Sequence, residues 1–353
     1  MEHTTSINKP LILGNYYYGG GEMAWAWYHE HHADLAIIGH HELSPRHQIV
    51  QQLQQAITKR DDKAVYSITV GKPQPGEKST INAIDWLEGF SDPPEFIADR
   101  DLFIKNRIFF SSSYYNLILK SINADRETLL PSVRYKANLE GPLAGYMRAI
   151  DAINDDNIHK AKLISATKNI LEVDWIHTNN EGHKYFIDPD ASIYEQTISL
   201  LIATWSLFSL TCQEDDPQQY LVIAEIPKQL LSIDVDPMVG KIVYDCISLL
   251  KQLSITTTLT LVLSTEMLFP VPELAFRYKL LFQTKDSDYD LTHNQSNRES
   301  IDPNLIKDWD EYQKFSGLWI DDITSNTEDG VIALKMNPNT FEFWDSFEDK
   351  RID

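Results

Sequence analysis

Residues 11–21 read LILGNYYYGGG, an apolar run followed by a glycine-rich turn. The run from Leu11 to Leu13 is typical of a short buried strand, and the glycines mark a turn after it. The next residues, Glu22–Tyr28, have the pattern of the opening turns of a helix. The stretch therefore predicts a strand, a loop and a helix in succession, and we expect the rest of the chain to be organised around this unit.

The glycines of this stretch have the spacing of a phosphate-binding loop, G-x-x-x-x-G-K-[ST]. Gly14 and Gly19 take the two glycine places, but Gly20 takes the lysine place and Gly21 takes the hydroxyl place. A working loop uses the lysine to neutralise phosphate charge and the hydroxyl to bind magnesium. Two interpretations stay open at this point: a nucleotide-binding fold that has lost its chemistry, and an ordinary glycine-rich turn.

Composition limits the class of protein. The chain has 353 residues and a hydrophobic fraction of 42%, which fits one large folded domain or two ordinary ones. Its net charge of −21 argues against an extended nucleic-acid surface, because phosphate contacts need clustered lysine and arginine. Two cysteines are too few for a disulfide framework. With a polar N-terminus, no signal peptide and no apolar stretch of roughly 20 residues, we expect a cytoplasmic protein without a membrane span.

Apolar runs alternate with helical patterns through much of the sequence. The predicted strands and helices are Ala33–Gly39, Pro45–Lys59 and Ala64–Val70 in the first half, and Ala191–Leu210, Tyr220–Ile226, Val239–Leu253, Thr257–Ser264 and Tyr278–Thr284 in the second. Strands that alternate with helices at this pitch imply a parallel sheet with helices on both faces. The sequence therefore predicts an α/β fold with a mainly parallel sheet.

The same patterns divide the chain. Residues 1–110 and 191–290 are predicted to form the α/β core, with a mainly helical insertion at 111–190 and a small C-terminal extension at 291–353. A further strand is predicted at Arg107–Phe110, and the turn signals within Glu172–Asp190 predict a small hairpin. Two C-terminal strands are predicted near Gly317–Trp319 and Gly330–Leu334.

The second half resembles the RecA-like motor ATPases of the FtsK and HerA class, which include the conjugative coupling proteins. In that family an apolar strand ends in Asp-Glu, and the strand after the next helix ends in Thr-Gln or Ser-Gln. Here Ile223-Ala224-Glu225 stands at the acidic strand end, and Leu263-Ser264-Thr265-Glu266 stands at the next strand end. Residues 272–280, PELAFRYKL, are similar to the family's lead into its following strand. The resemblance implies a RecA-like, P-loop-type fold over residues 8 to 290.

The departures from the family bear on activity. The family's aspartate holds the magnesium shell and its glutamate polarises the attacking water, whereas Ala224 takes the aspartate place here and only Glu225 is kept. Thr265 and Arg277 take the places of a sensor and an arginine finger, although each also fits an ordinary strand-end or surface residue. The resemblance thus implies a catalytically inactive ATPase-like subunit, without a cofactor, in a larger secretion, conjugation or DNA-translocation assembly.

Two other functions stay open. His29 and His32 share a helix face in the predicted element, so a histidine-based metal-dependent hydrolase is one alternative, against a solvated histidine-rich helix end. An active but divergent ATPase that takes its lysine from Lys72 or Lys78 is the other. His40 and His41 follow a predicted strand at the carboxyl end, where open α/β sheets bind ligands.

The C-terminal end mixes aromatic and acidic residues. A segment of this kind can dock into a hydrophobic, basic groove of a protein partner, or it can fold back on its own domain. The residues predicted to make such a protein contact are Phe341, Phe343, Trp344 and Phe347.

Overall fold

The computed structural model describes residues 10–16, 21–27, 33–40, 44–58, 65–72, 79–80, 100–121, 177–178, 184–213, 221–232, 235–257, 259–266, 276–282, 316–321, 331–336 and 341–343. The chain divides into two compact units. The first unit comprises Met1–Ser67, Pro217–Leu231 and Leu250–Asp353, and the second comprises Ile68–Asp216 and Ser232–Leu249. The described elements, in chain order, are β1 (Leu11–Tyr16), β2 (Glu22–Trp25), β3 (Leu35–Ile38), α1 (Arg46–Thr58), β4 (Val65–Val70), β5 (Ser79–Thr80), α2 (Arg100–Ser121), β6 (His177–Thr178), β7 (Lys184–Ile187), α3 (Ile193–Gln213), β8 (Leu221–Glu225), α4 (Lys228–Leu231), α5 (Pro237–Thr256), β9 (Thr260–Thr265), β10 (Tyr278–Leu281), β11 (Ser316–Asp321), β12 (Val331–Met336) and β13 (Glu342–Phe343).

The first unit is built on a mixed sheet whose centre is parallel. Strands β10, β3, β9 and β8 are neighbours in that order, and each adjacent pair is parallel. Every residue of β3, β8 and β9 is buried, as expected for parallel strands that are covered on both faces. The predicted parallel core is therefore confirmed. Because the strands are parallel, their carboxyl ends meet at one edge of the sheet.

Antiparallel strands extend this sheet beyond β10. The order continues through β11, β12, β1 and β13, and each of these strands pairs with its neighbour in the antiparallel sense. The described part of the predicted C-terminal extension thus supplies β11, β12 and β13 to the sheet of the first unit. Phe341 is buried in the core of the first unit, and Glu342 and Phe343 pair with β1, so this part of the segment folds back on its own domain, which is one of the two alternatives that the sequence leaves open. Phe343 pairs with Leu11 in β1, and Trp344 and Phe347 lie outside the described residues.

Helix α1 packs on the sheet through one apolar face. Its buried hydrophobic residues recur at helical spacing and belong to the core cluster of the first unit: Ile49, Val50, Leu53, Ala56 and Ile57. The exposed side of α1 carries glutamine and histidine. The helix prediction for this stretch is confirmed, and the element begins directly after the turn that leaves β3.

The glycine-rich stretch has a different structure from the predicted one. Glu22–Trp25 forms strand β2, antiparallel to β1, where the sequence predicts the start of a helix. The strand–loop–helix prediction for this stretch is therefore wrong. Gly14 lies inside β1 opposite Met336, and a Cβ there would collide with the Lys335 carbonyl oxygen. Close approach of β12 thus explains this glycine.

The second unit contains the helices α2 and α3 and the short strands β5, β6 and β7. Trp205 of α3 contacts Phe103 and Phe110 of α2, with ring centroids 5.4 and 4.9 Å apart. The predicted strand at Arg107–Phe110 is wrong, because these residues lie within α2. Strands β6 and β7 pair in the antiparallel sense, which confirms the predicted hairpin. Residues 122–176 of the predicted helical insertion lie outside the described residues. Across the described parts of the chain, no helix is long and apolar enough to cross a membrane.

Candidate functional site

Three strand ends bring polar residues together at the carboxyl edge of the parallel core. The register places Ile38 of β3 opposite Thr265 of β9, and Glu225 of β8 opposite Ser264 of β9. The backbone beyond the strands continues this alignment, because the Gly39 amide donates to the Thr265 carbonyl at 3.2 Å. This edge is where open α/β sheets place their ligand sites.

Hydrogen bonds fix the start of α1 where it follows β3. Ser44 is the N-cap of α1, since its Oγ accepts a hydrogen bond from the Arg46 amide at 3.4 Å, and Pro45 takes the first helical position. The Ser44 Oγ also donates to the His40 carbonyl oxygen at 2.7 Å. These contacts fix the helix start, so the side chains of the first turn point in defined directions.

Gly39 has no room for a side chain in this turn. A Cβ at this position would lie 2.5 Å from the Ser44 Oγ and 2.8 Å from the Phe282 Cβ. We expect Gly39→Ala to lower the free energy of unfolding by about 1–3 kcal/mol, the usual cost of forcing atoms into a packed site. Urea denaturation followed by circular dichroism measures this change. An unchanged midpoint would show that the turn is open at Gly39.

Arg46 places a buried cation at this edge. Its Nη1 donates to the Ser264 Oγ at 2.8 Å, and its Nη2 lies 3.9 Å from Oε1 of Glu266. The residue is only 7% exposed. Burial lowers the pKa of the Arg46 guanidinium from its ordinary value, while the charges of Glu225 and Glu266 oppose that change. Arginine remains protonated under such conditions, so a fixed positive charge lies among these carboxylates.

His47, the next residue of α1, holds the carboxylate of Glu225. The distance between His47 Nδ1 and Glu225 Oε1 is 3.0 Å, and Glu225 is 1% exposed. Gln51 donates from Nε2 to His47 Nε2 at 2.9 Å, which assigns the remaining proton of the neutral ring to Nδ1. The hydrogen bond with Glu225 raises the pKa of His47, and the carboxylate charge adds to this effect. Burial and the Arg46 charge act in the opposite direction.

The structure brings together only part of the predicted site. Glu225 and Thr265 lie on adjacent strands at the carboxyl edge, as the resemblance implies. Arg277 does not join them. It directly precedes β10, which runs parallel to β3, and therefore lies at the opposite edge of the sheet. There its Nε is 3.6 Å from Oδ1 of Asp321, and its guanidinium stacks on Tyr278.

The other predicted site residues have varied outcomes. Gly14 and Gly21 belong to the β1–β2 hairpin, in which the Gly21 carbonyl accepts from the Tyr16 amide at 2.7 Å. Gly19, Gly20, His29, His32 and Lys78 lie outside the described residues. Lys72 pairs with Asp190 at 2.9 Å and with Asp188 at 3.5 Å, so this lysine already has carboxylate partners.

Sequence reasoning missed the two residues of α1 that organise the edge. Arg46 and His47 stand at the start of a predicted helix, where polar residues are usually exposed. A signal was nevertheless present in the spacing from Gly39. Counted from that glycine, Ser44 takes the second glycine place, Pro45 the lysine place and Arg46 the hydroxyl place of G-x-x-x-x-G-K-[ST].

No protein-family model and no curated protein matches the sequence. Among solved structures, the chain is similar to the cytoplasmic domain of the Thermomonospora curvata type VII secretion ATPase EccC, with a TM-score of 0.38 and 10% identity over 93% of this chain and 28% of that one. It is also similar to the pCW3 conjugation coupling protein TcpA in its monomer form with ATPγS, with a TM-score of 0.37 and 8% identity over 93% of this chain and 66% of that one. The chain thus spans less than two thirds of either solved chain. Both TM-scores are low, and neither similarity assigns an activity to this chain.

Proposed function

We propose that this chain is a catalytically inactive, ATPase-like subunit that has a structural or regulatory role in a larger cytoplasmic assembly. The observation that carries the proposal is the buried guanidinium of Arg46, hydrogen-bonded to Ser264 at the carboxyl edge of the sheet. The turn after β3, the carboxylates around it and the charge of the whole chain support the same role.

The turn after β3 supports a degenerate phosphate loop at residues 39–46. It leaves a buried parallel strand and enters a helix, which is the structural setting that the motif requires. In the lysine place, Pro45 has no charge to neutralise a phosphate. In the hydroxyl place, Arg46 has no oxygen to bind magnesium. Both chemical functions of the loop are therefore missing from this alignment of the sequence.

The surrounding carboxylates support the same conclusion. A working site leaves its acidic strand end available to a metal shell and an attacking water. Here the Glu225 carboxylate is hydrogen-bonded to His47, and Glu266 lies beside Arg46. The chain thus supplies its own cation where a nucleotide site of this class would use magnesium. Binding of a magnesium nucleotide would have to displace this internal arrangement.

The partner class rests on charge and on the sequence resemblance. A net charge of −21 disfavours direct contact with DNA and suits a protein partner. The resemblance to motor ATPases points to a secretion, conjugation or DNA-translocation assembly. We infer that the contact is made by protein surfaces of this chain rather than by a nucleotide-dependent motor action.

Calorimetry with ATP and ADP, with and without magnesium, tests this function. We expect no binding with a Kd tighter than about 1 mM, while circular dichroism confirms that the sample is folded. Magnesium-dependent binding would contradict the proposal. In that case, ATP turnover that is lost in Glu225→Gln would identify an active divergent ATPase, because that variant keeps the size of the side chain but lacks the carboxylate.

A further inference from the structure

The carboxyl edge contains a contact between an imidazole and a buried carboxylate. His47 lies in the first turn of α1 and contacts Glu225 at the end of β8, so this contact joins the helix start to the strand end. The neighbouring Arg46 makes a second contact of this kind, because it forms a hydrogen bond with Ser264 and an ion pair with Glu266 near the end of β9. The amino end of α1 is therefore attached to two adjacent strands by two successive side chains.

We propose that His47 is a proton-controlled clasp that fastens the start of α1, and with it the turn after β3, to the end of β8. Protonation converts a hydrogen bond between the neutral imidazole and the Glu225 carboxylate into an ion pair. The clasp is therefore tight when His47 is protonated and looser when it is neutral. This inference concerns the fold itself and does not depend on nucleotide binding.

The groups around the His47 imidazole can accommodate both its neutral and its protonated form. In the neutral state, Nδ1–H donates to Glu225 and Nε2 accepts from Gln51. In the protonated state, Nε2 also carries a hydrogen, and Gln51 can accept it after its amide turns to present Oε1. The side chain of His47 is 47% exposed, so a proton reaches the ring directly from solvent.

The charges that act on the ring have opposite signs. Among the described residues, Glu225 on β8 favours the imidazolium and Arg46 on α1 opposes it. Glu266, after β9, contacts Arg46. The hydrogen bond with Glu225 is the largest influence and raises the pKa of His47. A raised pKa in the folded state means that the stabilisation is fully present below the unfolded value and is lost as pH rises through the folded value.

Nuclear magnetic resonance of histidine-labelled protein tests the contact. We expect the His47 midpoint to lie above the ordinary value of about 6.5. In Glu225→Gln the charge and the strong acceptor are lost, and the remaining influences of burial and Arg46 should move the midpoint below the ordinary value. Gln51→Glu places a second carboxylate beside Nε2 and should raise the midpoint above that of the parent. A parent midpoint at or below the ordinary value would overturn the proposal.

Hydrogen exchange tests whether protonation tightens the turn. The Gly39 and Ser44 amides, which bond to the Thr265 and His40 carbonyls, report on this turn. After correction for intrinsic rates, we expect about fivefold greater protection below the His47 midpoint than above it. His47→Gln keeps a donor for Glu225 but does not titrate, so it should abolish the difference.

The Leu261 amide serves as the internal control for this exchange measurement. It bonds to Asp34 at the other edge of the sheet and should be equally protected at both pH values. Equal protection of Gly39 and Ser44 across the midpoint, in a folded parent protein, would show that His47 titrates without acting as a clasp.

Discussion

Replacing Asp34 with alanine is expected to lower the free energy of unfolding by about 3–5 kcal/mol. Asp34 is 1% exposed and precedes β3, where its Oδ2 accepts hydrogen bonds from Lys251 and, at 2.6 Å, from Ser254. Its Oδ1 accepts from the Leu261 amide at 2.8 Å. The substitution would leave the Lys251 ammonium buried without its counter-charge, and loss of one partner of a buried pair is among the most destabilising changes.

Two controls separate the buried charge from the lost volume. Asp34→Asn combined with Lys251→Met removes both charges, and we expect a smaller loss than in Asp34→Ala because no unpaired charge remains. Asp321→Ala breaks the Arg277 contact, which is longer at 3.6 Å and partly solvated, and should cost about 0.2–1 kcal/mol. Urea denaturation at pH 7 compares all three variants. If Asp34→Ala were as mild as Asp321→Ala, the buried pair would contribute little to stability.

The parallel core could be predicted from the sequence because its signal is local. Strands β3, β8 and β9 are short apolar runs that are covered on both faces, and each lies within a predicted strand or overlaps it. Apolar runs between helical segments indicate buried parallel strands without any knowledge of their neighbours. The resemblance to the motor ATPases placed Glu225 and Thr265 at strand ends. The two residues lie at the same edge of the sheet because β8 and β9 run parallel.

The β1–β2 hairpin could not be predicted in this way. A glycine-rich turn after an apolar run fits a phosphate loop and a hairpin equally well, because the two differ in the element that comes after the turn. The segment from Glu22 to Trp25 forms a strand because it pairs with β1, and β1 in turn pairs with β12 near the other end of the chain. Long-range pairing of this kind overrides the weak helical preference of a four-residue segment.

The role of Arg46 escaped prediction for a related reason. An arginine in the first turn of a helix is usually exposed, and local sequence gives no reason to bury it. Its burial depends on Ser264, which is 218 positions away in sequence, and on Glu266. The fold brings these residues together only when β3 and β9 become neighbours. The spacing of the phosphate-loop motif, counted from Gly39, could have identified the turn after β3. It could not have identified the contacts that the Arg46 guanidinium makes.

Arg46→Ala is expected to lower the free energy of unfolding by about 3 kcal/mol. The substitution removes the hydrogen bond to Ser264 and the positive charge beside Glu266. It also removes a positive charge that acts on Glu225. The buried carboxylates of Glu225 and Glu266 would therefore lose a positive charge that acts on both of them, and the destabilisation should exceed that of His47→Ala.

A double-mutant cycle identifies the cause of this loss. Glu266→Gln removes one of the two carboxylates, so in the Arg46→Ala background it should recover part of the lost stability, whereas in the parent chain it should be neutral or destabilising. Arg46→Lys keeps the charge without the planar fork and should lie between the parent and Arg46→Ala. Additive effects of Arg46→Ala and Glu266→Gln would mean that the guanidinium stabilises this edge by packing. If Glu266→Gln instead recovers stability in the Arg46→Ala background, the charge of Arg46 acts on Glu266. That outcome would support an internal cation in the place of a bound metal, as the inactive role requires.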